Sequence, residues 1–241
     1  MFLFWDSTYL AYMIPGLLLT LLAQWWVNST YRKWSKVQNT QGLSGAEAAK
    51  RLLSSGGLGY VGLQGIQGQL TDNYDPRSQT LNLSQGVAQT RSVAALAIAA
   101  HEIGHAMQDQ KGYLPMRLRS ALVPAVSIGS NLGLIMIMGG LLLRGMLGVG
   151  PATQIAWLGV LFFAGGAVFA LATLPVELDA SARAKRLLKQ AGLITSPKEA
   201  QGVSAVLRAA AFTYVAGLAA AILQLLYFVS LVGGMGGRRR G

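Results

Sequence analysis

Two histidines and a glutamate stand together at His101-Glu102-Ile103-Gly104-His105, and the 241-residue chain holds no other histidine. The spacing is H-E-x-x-H. On a helix, residues four apart lie about 40° apart around the axis, so both imidazoles share one face on adjacent turns. Imidazoles placed this way can grip one metal ion, and Glu102 beside them can serve as a base toward water. That is the arrangement of zinc metallopeptidases. The flanking sequence suits the helix this requires: residues 92 to 107 are apolar and helix-forming, with no proline. The expected helix runs from about Ser92 to Gln108.

A catalytic zinc takes three protein ligands and keeps an open position. The chain has no cysteine, which excludes disulfides and thiolate ligands. With no third histidine, the remaining ligand must be a carboxylate. Asp6 falls across the membrane on the topology below. Glu47 fits a helix cap, and Asp72 and Asp75 fit a turn. Asp109, four residues past His105, reaches the same face but from the helix end. Glu177 lies in Leu174-Pro175-Val176-Glu177-Leu178-Asp179-Ala180-Ser181. There an apolar span is expected to end and a helix from about Val176 to Gln190 to begin. A carboxylate at such a boundary is costly without a partner, or is an ordinary helix N-terminal acid favoured by the dipole. On residue types alone Asp109, Asp179 and Glu177 stay open.

The elements that must position these residues are largely membrane helices. Charged residues make up 12% of the chain and the mean hydropathy is +0.42, whereas soluble domains carry about 25% charged residues. The net charge is +11, but the basic residues flank apolar segments rather than forming a stripe with aromatics. This fits lipid headgroups and topology, not nucleic acid. Residues 1–27 read as an N-terminal anchor whose span covers 9–27, with Pro15 inside and Trp25 and Trp26 closing it. Asp6 before it and Arg32, Lys33 and Lys36 after it oppose a cleaved signal peptide. Residues 120–174 read as a transmembrane hairpin, with spans near 121–143 and 152–174 and a glycine-rich turn from Arg144 to Pro151. Gly139, Gly140, Gly165 and Gly166 would let helices pack closely. A fourth span covers 212–232, and 233–241 reads as a disordered tail.

Between the spans, 28–119 reads as the metallopeptidase region and 175–211 as a helical region that carries two of the candidate third ligands, Glu177 and Asp179. Together they hold sixteen of the twenty basic residues, which places both in the cytoplasm. The hairpin returns the chain to its starting side, so the motif and Glu177 share a face. Within 28–119, Ser44 to Glu47 forms a capping box ahead of an apolar face of Ala48, Ala49, Leu52 and Leu53, and Gly56-Gly57 ends that helix. Strand-like pieces follow at Val61–Ile66 and Gln69–Thr71, then a turn over Asp72–Ser78, then a strand at Thr80–Ser84. That last strand either offers an edge to a peptide or simply covers the motif helix. The expected fold is mostly α: an integral membrane protein with about four transmembrane helices and a small α+β zincin-like cytoplasmic domain.

Several stretches then converge: Tyr74-Asp75-Pro76-Arg77-Ser78, Ala100-His101-Glu102-Ile103-Gly104-His105-Ala106, Leu114 to Pro124, Leu174-Pro175-Val176-Glu177, and Leu207-Arg208-Ala209-Ala210-Ala211. In these the chain resembles, over nearly its whole length, the YugP-like neutral zinc metallopeptidases of bacteria, which are small multi-span membrane proteins. More broadly it is similar to HtpX-like gluzincins, in which a later glutamate in E-x-x-A-D binds zinc. Here that motif reads Glu177-Leu178-Asp179-Ala180-Ser181. Glu177 matches the ligand, and Ser181 replaces the acid, leaving Asp179 or a backbone carbonyl to orient the ligand histidines.

The resemblance implies Zn2+ on His101, His105 and Glu177, and a membrane-embedded endopeptidase in the bacterial inner membrane that acts on peptides or membrane proteins. Glu102 is the expected general base, which later passes the proton to the leaving amine. Tyr74 and Tyr214 are candidates for stabilising the oxyanion, and each also reads as a structural tyrosine. One rival is a site-2-type protease cutting inside the bilayer, invited by the apolar run Val93–Ala100. No aspartate in a later span supports it. Another is a non-catalytic zinc scaffold, in which Glu102 would have no use.

Overall fold

A computed structural model describes residues 7–236. The elements run α1 (Ser7–Trp34), α2 (Gly45–Ser55), β1 (Gly62–Ile66), β2 (Asn73–Asp75), β3 (Thr80–Ser84), α3 (Gln85–Ala88), α4 (Val93–Gln110), α5 (Leu114–Leu147), α6 (Val149–Gln190) and α7 (Pro197–Gly236). The chain divides into two compact units. One comprises the chain up to Leu22, Leu118–Thr173 and the chain from Tyr214. The other comprises Ala23–Arg117 and Leu174–Thr213.

The first unit is built from the apolar parts of α1, α5, α6 and α7, which among the described residues are the four helices long and apolar enough to cross a membrane. Large apolar side chains face outward on them, among them Leu18 (59% exposed), Ile128 (70%) and Leu161 (69%). Water would oppose such an arrangement, whereas lipid chains accept it. Its core joins Ile137, Ala156 and Val160 to Tyr227, Phe228 and Val232. Helices α5 and α6 meet where side chains vanish: a Cβ on Gly133 would lie 2.7 Å from the Gly159 carbonyl oxygen, and one on Gly140 would lie 2.7 Å from that of Ala152. Of the glycines expected to allow close packing, Gly140 does so. Among the described residues a Cβ on Gly139 would meet nothing within 4 Å, and one on Gly165 or Gly166 would make only ordinary side-chain contacts. The expected turn over Arg144–Pro151 shrinks to Gly148, which has φ +78. Only glycine takes that conformation without strain.

The second unit wraps α4. Val93, Ala94, Ala97, Ala99, Ala100, Ile103 and Ala106 are all buried, against α2, the sheet, α6 and α7. The first half of α4, Val93–Ala100, is apolar on every side and almost wholly enclosed, as such a stretch must be. Ser92 caps α4, its hydroxyl accepting from Ala95 N–H at 3.1 Å. The Ser44–Glu47 capping box on α2 forms as expected.

The sheet order is β1-β3-β2, with β3 parallel to β1 and antiparallel to β2. β3 has the expected bounds but lies between two partners, so it has no free edge to offer a peptide. No strand forms at Gln69–Thr71. Instead β2 occupies the first half of the expected turn, because Asp75 gathers the turn after itself: its carboxylate accepts from Arg77 N–H at 2.9 Å and from the Ser78 hydroxyl at 2.8 Å.

Two long helices overturn an expected boundary. α6 runs unbroken through Pro175, and α7 carries the polar 197–211 stretch into the fourth span without interruption. Glu177 therefore lies mid-helix, where no helix N-terminus exists to favour its charge. Proline removes one backbone hydrogen bond. Burial of Thr173, Val176, Ala180 and Ala184 keeps the helix together across that loss. The first four residues of the expected tail belong to α7, and 237–241 lie outside the described residues, as does Asp6.

Candidate metal centre

Helix α4 places His101 and His105 one turn apart, their rings 4.8 Å between centroids and nearly perpendicular. Helix α6 brings Glu177 to them. The Glu177 Oε2 stands 3.1 Å from His101 Nε2 and 3.4 Å from His105 Nε2. Glu177 is 2% exposed. A carboxylate so buried needs charged or hydrogen-bonding partners, and the two imidazoles supply them. The helices come this close because Gly104, between the two histidines, has no side chain. A Cβ there would lie 2.5 Å from the Ala180 carbonyl oxygen.

The outer faces of both rings are held as well. His105 Nδ1 lies 3.0 Å from Gln108 Oε1, and His101 Nδ1 lies 3.2 Å from the Ser181 hydroxyl. Gln108 Nε2 donates to the Val176 carbonyl at 2.7 Å and to Asp179 Oδ2 at 2.9 Å. Arg183 Nε donates to the same Asp179 oxygen at 2.6 Å.

The other acids fall into place around this group. Asp109 accepts from the Tyr74 hydroxyl at 2.9 Å. Burial and that bond raise the Tyr74 hydroxyl far above the ordinary tyrosine range, so it stays protonated. Asp72 holds Ser84 through its backbone N–H at 2.7 Å and its hydroxyl. Glu199 collects Thr40, Thr195 and Ser196 at the start of α7. Among the described residues, His101, His105 and Glu177 are the His/Cys/Asp/Glu group whose donor atoms converge, all within 4.8 Å of one another. Asp109 and Asp179 are committed elsewhere. Tyr214 lies in the first unit.

Glu102 precedes Ile103 on the same helix. Burial pushes its carboxyl above the usual range; the neighbouring imidazoles pull it back, and the charges of Glu177 and Asp72 add to the upward push.

The donor set fits zinc. Two imidazole nitrogens and one carboxylate oxygen are borderline and hard donors of the kind zinc accepts. A tetrahedral ion with bonds of about 2.0–2.1 Å sets its ligand atoms about 3.3–3.4 Å apart. The 3.1 and 3.4 Å separations from the Glu177 oxygen are close to this, and the three donor atoms all lie within 4.8 Å of one another.

Sequence reasoning overlooked Gln108, Gly104 and the direct role of Ser181 in holding a ring. Gln108 follows His105 by three residues, and therefore shares its helix face. A glutamine on the buried side of a motif helix was the available signal.

The fold and the site define a class: a multi-pass helical membrane protein with a buried His-His-Glu group suited to a metal ion. The family model described as "Putative neutral zinc metallopeptidase" matches residues 9–233, and the chain belongs to that family. It is 39% identical over 218 residues to the Bacillus subtilis (strain 168) protein named "Putative membrane protease YugP", covering 90% of this chain and 93% of that one. The expected resemblance is borne out. No solved structure matches the chain.

Proposed function

We propose that this protein is a membrane-embedded zinc endopeptidase of the gluzincin type, with zinc held by His101, His105 and Glu177. One observation carries the reading: three donor atoms of zinc-binding kind converge from α4 and α6 beside an intact Glu102. When bound, zinc acts as a Lewis acid on the peptide carbonyl and lowers the pKa of water.

The chain's own residues do the rest. Glu102 takes a proton from the attacking water and hands it to the leaving amine, a role suited to a carboxylate whose burial raises its basicity. Ser181 and Gln108 keep the two imidazoles in place. Residues 28–119 and 175–211 form the peptidase region, facing the cytoplasm from the bacterial inner membrane, with peptides or membrane proteins as substrates. The basic residues gathered in those two stretches support that sidedness.

The apolar run Val93–Ala100 gives no support to cutting within the bilayer, since its burial in the second unit's core already accounts for it. The test is cleavage of an unstructured polypeptide by detergent-purified protein. The wild type should cleave with zinc and lose the activity to a chelator. Glu102→Gln should keep its zinc and lose at least the roughly 10²–10⁴-fold that general-base catalysis contributes. Wild-type cleavage by that variant would remove Glu102 from the role.

A further inference from the structure

The two ring-holding contacts are not equivalent. Ser181 presents a hydroxyl, which can donate or accept, so it dictates nothing about the His101 tautomer. Gln108 presents an amide, which must choose. Its side chain is fully buried, and both of its N–H groups face acceptors: the Val176 carbonyl at 2.7 Å and Asp179 Oδ2 at 2.9 Å. Turning the amide over would set its oxygen against a carbonyl and a carboxylate, with its NH2 against the ring. The oxygen is thus compelled to face His105 Nδ1, at 3.0 Å. Nδ1 then carries a proton, which leaves Nε2, 3.4 Å from Glu177 Oε2, as the ring nitrogen available to a metal ion.

We infer that Gln108 is a positioning residue for the metal site. It locks His105 in the Nδ1–H form and ties that ring to the α6 backbone one residue before Glu177. Asp179 acts on the site through Gln108, and Arg183 steadies Asp179 while lying 5.6 Å over the Tyr113 ring. One buried side chain thereby sets both the orientation of a ligand on α4 and its distance from a ligand on α6. The inference rests on the zinc reading above, because the lock matters only if Nε2 must meet an ion.

The experiment uses the full chain in detergent and zinc alone as the probe. Zinc affinity is read by competition with a chromophoric chelator, and thermal unfolding is followed with and without zinc. Gln108→Leu should lower zinc affinity about 10–100-fold and shrink the zinc-induced rise in Tm. Gln108→Glu keeps an acceptor at Nδ1 but sets its second oxygen against the Val176 carbonyl and Asp179, so it should also weaken zinc binding. Adding Asp179→Asn, whose amide can donate to that oxygen, should recover part of the loss. Asp179→Ala should weaken binding in the native background and add nothing in the Gln108→Leu background, since a residue acting through another has no separate effect.

A merely structural role predicts the opposite: lower Tm in both states, zinc affinity unchanged, and additive losses. Any of these overturns the inference. If Gln108→Leu does not fold, unchanged affinity in Asp179→Ala or in Gln108→Glu overturns it instead. His101→Ala separates the two levels. Wild-type zinc binding by that variant would sink the metal site itself, whereas its loss together with an unaffected Gln108→Leu would sink only the role of Gln108.

Discussion

Gly104 and Ala180 meet backbone to backbone, so close that a Cβ on Gly104 would lie 2.5 Å from the Ala180 carbonyl oxygen. This contact lies one residue before His105 and three after Glu177. It sets the separation of the two helices that carry the converging donors, and it is the point where the smallest added group would be felt.

Gly104→Ala should therefore act on the metal more than its size implies. Ala180 meets it with main chain, which cannot rotate aside. Forcing a methyl group into a packed interior costs about 1–3 kcal/mol, and the helices would relieve it by moving apart. The expected result is folded protein with a lower Tm and clearly weaker zinc binding. Tm and zinc affinity both equal to wild type would show that the close approach is not required.

Metal content tests the choice of third ligand. Purified wild-type protein should hold about one zinc per chain, since one group of three donors fills a catalytic site. Glu177→Gln should weaken binding strongly. Asp109→Asn should leave it intact, because Asp109 is spent on the Tyr74 hydroxyl. Inductively coupled plasma analysis after dialysis against a weak chelator reads both, and a reversed order would transfer the ligand role to Asp109.

Ser181→Ala should have a smaller effect than loss of Glu177. The hydroxyl is one hydrogen bond away from the donor set, at 3.2 Å from His101 Nδ1. Residues that hold a ligand ring typically account for 10–100-fold in metal affinity. Ser181→Asp, which restores an acid facing that nitrogen, should bind zinc at least as tightly as wild type. An aspartate variant weaker than the alanine one would mean that position 181 does not hold the ring.

Sidedness is checked by reporter fusions. A reporter after Gly56 should read cytoplasmic and one at Gly148 external, following the basic residues gathered in 28–119 and 175–211. Opposite labelling would move the active site to the outer face.

The grouping of His101 and His105 was legible in the sequence because it is local. His101, Glu102 and His105 lie within two helical turns, and helix geometry alone puts the histidines on one face. The membrane helices were equally legible, since a span needs only an unbroken apolar run of about 20 residues. The capping box at Ser44 and the strand at Thr80–Ser84 are likewise written in neighbouring residues.

What the sequence could not decide depends on partners far along the chain. Whether Pro175 ends a helix is settled by the burial of Val176, Ala180 and Ala184, not by proline itself. That β3 is central rather than an edge follows from β1 joining it in parallel after the chain has crossed to form β2, a pairing with no short-range signal. The sequence and its resemblance singled out Glu177, but only tertiary packing shows how it arrives: Gly104 admits the Ala180 backbone, and Gln108 ties His105 to the turn that carries Glu177. Residues four apart meet through the geometry of one helix, while residues more than seventy apart meet only where two helices have shapes that fit.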